Sequence, residues 1–210
     1  MNIKKSVKII CGITAAVFIV SGCAKQEIKN VGSKGTCIVC FGDSITLGYG
    51  STPQKNYPSY LGKLVTIPVI NAGIDGDTTV DALIRMEEDV LSENPRLVII
   101  EFGGNDFLKK IPISRTLQNL ETMIDIAHSK GAMVALVDIS AGMFFGEYRS
   151  AYAKIAQKKN VIFIPSILKG IITNPSFKSD FLHPNEAGYE LVAQRIYRVI
   201  SPFLEQPIPS

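Results

Sequence analysis

The sequence contains no tryptophan and only two histidines, His128 and His183. Without indole rings there is no broad platform for stacking an extended sugar. Long apolar runs are missing too. The longest near the N-terminus, Ile9 to Val20, holds twelve residues, against about 20 for a membrane-spanning helix. Charge of one sign is equally scarce. Lys4, Lys5 and Lys8 account for the formal +3, and residues 23–210 balance nineteen basic side chains against nineteen acidic ones. That leaves no basic field to attract nucleic acid or an anionic surface.

What stands at the N-terminus is a basic segment, a short apolar core and then small residues, the pattern of a secretory signal. Val20-Ser21-Gly22-Cys23 resembles the lipobox of bacterial lipoproteins. The resemblance implies cleavage before Cys23, a lipid on that cysteine and membrane attachment at the cell envelope, facing the periplasm or the exterior. Residues 1–22 are then the signal, 23–34 a tether, 35–201 one domain and 202–210 a flexible tail. Of the four cysteines, Cys11 leaves with the signal and Cys23 takes the lipid. Cys37 and Cys40 have CxxC spacing, but they sit in a strand-like run, where residues three apart point to opposite faces. They are expected as small core residues, with no disulfide and no metal site.

After Cys23, apolar runs alternate with helical patterns. Strands are expected at 36–41, 67–71, 96–102, 132–139 and 161–164, each nearly continuous in Val, Ile and Leu where both faces are covered. Helices are expected around Tyr57–Leu64, after a capping box at Thr78–Asp81, from a Ser114 cap to Lys130-Gly131, over 147–159, and from Pro184 onward. Strict alternation predicts a three-layer α/β/α sandwich around a flavodoxin-like, five-stranded parallel sheet ordered 2-1-3-4-5. Ligands of such sheets bind beyond the carboxyl ends of the strands, at the switch point between the first and third.

The turns at that end carry the chemistry. Gly42-Asp43-Ser44 follows the first strand, Asn71-Ala72-Gly73-Ile74-Asp75-Gly76 the second and Gly103-Gly104-Asn105-Asp106 the third. Asp180-Phe181-Leu182-His183-Pro184-Asn185 closes the loop after the fifth. A serine at a sheet rim suits a nucleophile, a histidine suits its base, and a carboxylate three residues earlier can orient that histidine. The glycine and asparagine after the flanking strands can supply N–H donors to a developing oxyanion. His128 has no motif around it and is expected to be solvated.

These four blocks, in this order, resemble the SGNH (GDSL-type) hydrolases over nearly all of residues 36–200, and within them the arylesterase, lysophospholipase and acyl-CoA thioesterase branch. The resemblance implies Ser44 as nucleophile, His183 as base and Asp180 as its orienter. It also implies Ser44, Gly73 and Asn105 as oxyanion donors, a small-molecule ester as substrate, and no metal or other cofactor. A monomer is expected. Phe107, Leu108, Ile111, Ile113 and Met143-Phe144-Phe145 are apolar residues in rim loops that would suit an acyl or aryl group. Ser140-Ala141-Gly142-Met143 departs from the branch, whose members often carry prolines and an Asn-Tyr pair there. Two other readings stand beside esterase: a glycan O-deacetylase of the same fold, and a lipoprotein that binds a ligand without catalysis.

Overall fold

The computed structural model describes residues 27–138, 140 and 146–205. The expected signal, Cys23, the first part of the tether, Met143-Phe144-Phe145 and the last five residues lie outside them. Among the described residues no helix is long and apolar enough to cross a membrane.

Five strands form one parallel sheet in the order β2-β1-β3-β4-β5, with β1 (Cys37–Gly42) at its centre of connectivity. It pairs with β2 (Val69–Gly73) on one side and β3 (Pro95–Glu101) on the other. β4 (Met133–Val137) and β5 (Ile162–Ile164) continue the sheet beyond β3. The period of two sorts the core. Ile38 and Cys40 face one apolar cluster, while Cys37, Val39 and Phe41 face the other. Cys37 and Cys40 are therefore on opposite faces, buried and unbridged.

On the first face lie α2 (Tyr57–Gly62) and α7 (Glu186–Leu204), which bring Tyr57, Leu61, Tyr189, Val192 and Ile196 onto the sheet. The second face is covered by α3 (Thr79–Asp89), α5 (Ile113–Ser129) and α6 (Gly146–Lys159), through Ala82, Met86, Leu120, Ile124 and Ile155. Fully burying one such Leu, Ile or Met side chain contributes about 1.5–3 kcal/mol. The expected three-layer sandwich and strand order are those observed.

Helix ends follow the sequence with two differences. The Thr78–Asp81 capping box forms in both directions. α5 starts one residue before Ser114, with Pro112 at its N-cap and no side-chain cap bond, because the fixed φ of proline already sets the entry angle. α7 is capped by Asn185, whose side chain accepts from the Gly188 N–H, and it continues through Pro202 to Leu204. The start of the expected tail is thus helical. Near a C-terminus Pro202 forfeits one donor, and the Arg96 guanidinium donates to the Leu204 carbonyl at 3.0 Å.

The second part of the expected tether is docked. Ile28 packs into the α2/α7 cluster, the Lys29 N–H donates to Asn160 O at 2.9 Å, and Asn30 Nδ2 bridges the carbonyls of His128 and Ala132. His128 is buried rather than solvated, and its Nε2 has no hydrogen-bond partner among the described residues. Burial, with Lys29 and Lys159 nearby and Asp125 opposing them, lowers its pKa from 6.5 to about 4. A base whose folded pKa is depressed binds more protons when unfolded, so stability is lost as pH falls from 6.5 toward 4. Urea denaturation across this range should show a shallower acid decline in His128→Gln than in the wild type. Equal slopes would show that His128 does not carry the effect.

Candidate active site

At the carboxyl end of β1 the chain reaches Gly42, and α1 (Ser44–Leu47) begins at once. A Cβ on Gly42 would collide with Thr46 Oγ1 and Glu101 Oε2, so only glycine lets the sheet and the new helix meet here. Asp43 caps α1 by accepting from the Ile45 N–H at 3.0 Å. Ser44 follows, 8% exposed, with no acceptor for its own N–H among the described residues. Sequence reading marked this segment as a turn. One helical turn forms instead because the Asp43 carboxylate satisfies a donor that would otherwise be orphaned.

Ser44 Oγ lies 3.0 Å from His183 Nε2. On the far side of the ring, Nδ1 is 2.8 Å from Asp180 Oδ2 and 3.0 Å from Oδ1. Asp180 Oδ1 also accepts from the N–H groups of Leu182 (2.7 Å) and His183 (2.8 Å), which folds the loop back on itself. Burial acts to raise the Asp180 pKa, but the Leu182 N–H and then the His183 contacts outweigh it and lower the pKa overall. The carboxylate therefore stays ionised, and its interaction would be lost only as pH falls through that depressed value. Tyr49 packs its ring 4.5 Å from the imidazole and is itself pinned by the Tyr189 hydroxyl, which donates to Tyr49 O at 2.8 Å. Tyr49 carried no signal in the sequence beyond its nearness to Ser44.

Asn105 sits on α4 (Gly104–Leu108), behind Gly103 at φ 118°. Its Nδ2 donates to Asp43 Oδ2 at 3.2 Å and to Asp77 O at 3.0 Å. α4 is anchored through Asp106, fully buried, which accepts from the Thr79 N–H, the Thr79 hydroxyl and the Thr116 hydroxyl. The 74–78 loop is held by Arg85. Its guanidinium meets Asp77 at 2.6 Å, the Gly42 carbonyl at 3.1 Å and the Ala72 carbonyl at 3.0 Å, and it lies over the Phe41 ring. No motif in the sequence singles out Arg85.

Gly73 does not sit as expected. Its N–H donates to Asn71 Oδ1 at 2.9 Å, and the backbone of Thr46 and Leu47 fills the place of its Cβ. Gly73 thus lets α1 approach β2 and is not part of the cavity wall. Gly76 is better placed. It has φ 79°, open space around it and an N–H with no acceptor among the described residues. It lies between Asp75, on the cavity wall, and Asp77, whose carbonyl holds Asn105.

Over Ser44 and His183 opens a cavity of about 430 Å³. Its apolar wall comes from Ile45, Leu108, Leu168, Ile172, Phe181 and Leu182. Of the rim residues expected from sequence, Leu108 lines it, whereas Phe107, Ile111 and Ile113 do not. Leu168 and Ile172 come from the loop after β5, which showed no periodicity to flag it.

The profile of the GDSL-like lipase/acylhydrolase family matches residues 40–191. The chain belongs to this family. It is 31% identical over 168 residues to an arylesterase of Vibrio mimicus, covering 75% of this chain and 84% of that one. The crystal structure of the esterase EstA from Pseudoalteromonas sp., inhibited by monoethylphosphonate, superposes with a TM-score of 0.73 at 25% identity, covering 81% of this chain and 100% of that one. A stretch of 98 residues is 35% identical to the lipoprotein YqeF of Bacillus subtilis, covering 43% of this chain and 37% of that one. The chain is an ester hydrolase of the serine-hydrolase type.

Replacing Asp180 by Asn would leave the loop's N–H bonds an acceptor but offer His183 Nδ1 a weaker partner and permit the wrong tautomer. Turnover of p-nitrophenyl butyrate should fall by about 10²–10⁴, with KM little changed. A loss below about threefold would remove Asp180 from the mechanism.

Proposed function

We propose that the chain hydrolyses carboxylic esters of medium acyl chains or aryl alcohols, lysophospholipids included, through an acyl-enzyme on Ser44. The reading rests on one observation: an unbroken line Asp180–His183–Ser44 ends at the floor of an apolar-walled cavity. Ser44 Oγ attacks the ester carbonyl carbon while its proton passes to His183 Nε2. Asp180, bonded to Nδ1–H, stabilises the imidazolium. When the tetrahedral intermediate collapses, Nε2 returns the proton to the departing alkoxide. Water then gives its proton to Nε2, attacks the acyl carbon and releases the acid, and Ser44 recovers its hydrogen.

The oxyanion donors in this reading are the Ser44 N–H, Asn105 Nδ2 and the Gly76 N–H, with Gly76 in place of Gly73. Asn105 must share or release its longer bond, the 3.2 Å one to Asp43, to serve. Losing one such donor typically costs about 2.7–4 kcal/mol of transition-state stabilisation.

The cavity falls in the size range of about 300–1,000 Å³ typical of small-ligand sites. Its wall offers more apolar than polar contact, which favours an acyl chain over a bare acetyl group and so sets the deacetylase reading second. Attachment through lipid on Cys23 belongs to the same proposal, supported by the Val20–Cys23 pattern and by the likeness to a relative named as a lipoprotein. Growth with radiolabelled palmitate would label the wild type and not Cys23→Ser if the lipid is there.

The substrate reading is tested with p-nitrophenyl acetate, butyrate, octanoate and palmitate beside Ser44→Ala and Ile172→Phe. The wild type should gain in kcat/KM from acetate to octanoate, and Ser44→Ala should be inactive throughout. Ile172→Phe, which narrows the acyl wall, should lose about tenfold on octanoate and little on acetate. Activity confined to acetate would contradict the acyl reading and favour the deacetylase.

A further inference from the structure

Beneath Ser44 lies a pair of acids that the acyl-transfer steps do not use. Glu101 ends β3 and is fully buried, and Asp43 is 3% exposed. Gly42, next to Asp43, pairs with Glu101 across the sheet, and Glu101 Oε2 crowds the place of a Gly42 Cβ, so the two carboxyl groups adjoin and can share a hydrogen bond. Each has other partners. Glu101 Oε2 accepts from the Thr46 hydroxyl at 2.7 Å. Asp43 Oδ1 accepts from the Ile45 N–H, and Oδ2 from Asn105 Nδ2. Glu101 Oε1 has no hydrogen-bond partner among the described residues. Two ionised carboxylates cannot bond each other, and leaving a buried oxygen without a donor is unfavourable, more so when it is charged. A proton between the two groups removes both problems.

We propose that Glu101 is a positioning residue, held protonated, which donates its carboxyl hydrogen to Asp43 and so keeps a single negative charge beneath the nucleophile and the oxyanion site. Asp43, fixed by that bond, in turn fixes the first turn of α1 and the Asn105 amide. A second negative charge here would repel the oxyanion as it forms, in a region too dry to screen it.

The surroundings agree. His183 and Asp106 face Asp43. Thr46 bonds Glu101 and the Tyr57 hydroxyl, and the Tyr152 and Tyr189 hydroxyls, from α6 and α7, are committed to the carbonyls of Phe102 and Tyr49. Arg85, on the Gly42 carbonyl, is paired with Asp77 and Asp89, and among the described residues no cation forms an ion pair with Asp43 or Glu101. Burial pushes both acids up. Asp43 is drawn part of the way back by the Ile45 N–H, the Glu101 bond and His183. A group with a raised folded pKa contributes below its unfolded value, and that contribution is lost as pH rises through the folded one. The arrangement therefore fails on the alkaline side.

The test compares wild type, Glu101→Gln and Glu101→Leu. Glutamine can still donate to Asp43 and accept from Thr46, but it cannot ionise. With p-nitrophenyl butyrate, Glu101→Gln should keep kcat within about threefold at pH 7 and lack the alkaline fall of the wild type. Glu101→Leu should lose at least about tenfold in kcat with KM within about twofold. Infrared difference spectra, wild type minus Glu101→Gln at pH 7, should show the carbonyl band of a protonated carboxyl. The kinetic arm rests on the acyl-serine reading and the infrared arm does not, so a wild type inert to every ester would remove the first and leave the second to decide. An absent band, or an alkaline fall unchanged in Glu101→Gln, overturns the proposal. If Glu101→Leu does not fold, the glutamine variant decides alone.

Discussion

The seating of α7 on α2 is the constraint on which the site depends. Ser44 and His183 are 139 positions apart, and one 3.0 Å hydrogen bond cannot hold such a separation closed against chain entropy. Apolar packing does it. Tyr189, Val192, Ile196 and Ile200 are fully buried against the sheet and α2, and the Tyr189 hydroxyl reaches Tyr49 O close to Ser44. Asn185 caps the helix, and Ser179 and His183 close the preceding loop through a backbone bond of 2.9 Å. The Ser44–His183 contact is thus a consequence of helix docking, which the loop chemistry completes.

A second layer lies under the rim of the sheet. Thr46, Asp43, Glu101, Asp106 and Thr79 are all buried polar residues around Ser44 and Asn105. Burying such groups is unfavourable unless each donor and acceptor is met. Asp106 has three donors, whereas Glu101 Oε1 has no partner among the described residues, a need that the proposed proton meets. Arg85 does comparable work at the edge, tying β1, β2 and the 74–78 loop together by its fork of donors, a geometry lysine could not copy.

Much of this was legible in the sequence because it depends on local pattern. Five apolar runs gave the strands, and the capping box at Thr78 and the Asp180–His183 spacing are short-range chemistry. Other features depend on where distant segments meet. His128 is buried at the end of α5, where residues 28–30 dock from a hundred positions away, and no property of α5 alone announces either. The choice between Gly73 and Gly76 turned on which N–H was already taken by Asn71. Both glycines stand in one block, and their spacing says nothing about that. Leu168 and Ile172 line the cavity from an irregular loop, where no period marks an inward face.

The central claim, that Ser44 is the nucleophile activated by His183, is tested most directly by reacting the protein with a fluorophosphonate and mapping the adduct by mass spectrometry. The account predicts one adduct per chain, on the peptide containing Ser44, none in Ser44→Ala and a strongly slowed reaction in His183→Ala. Labelling on another residue, or labelling undiminished in Ser44→Ala, would contradict it.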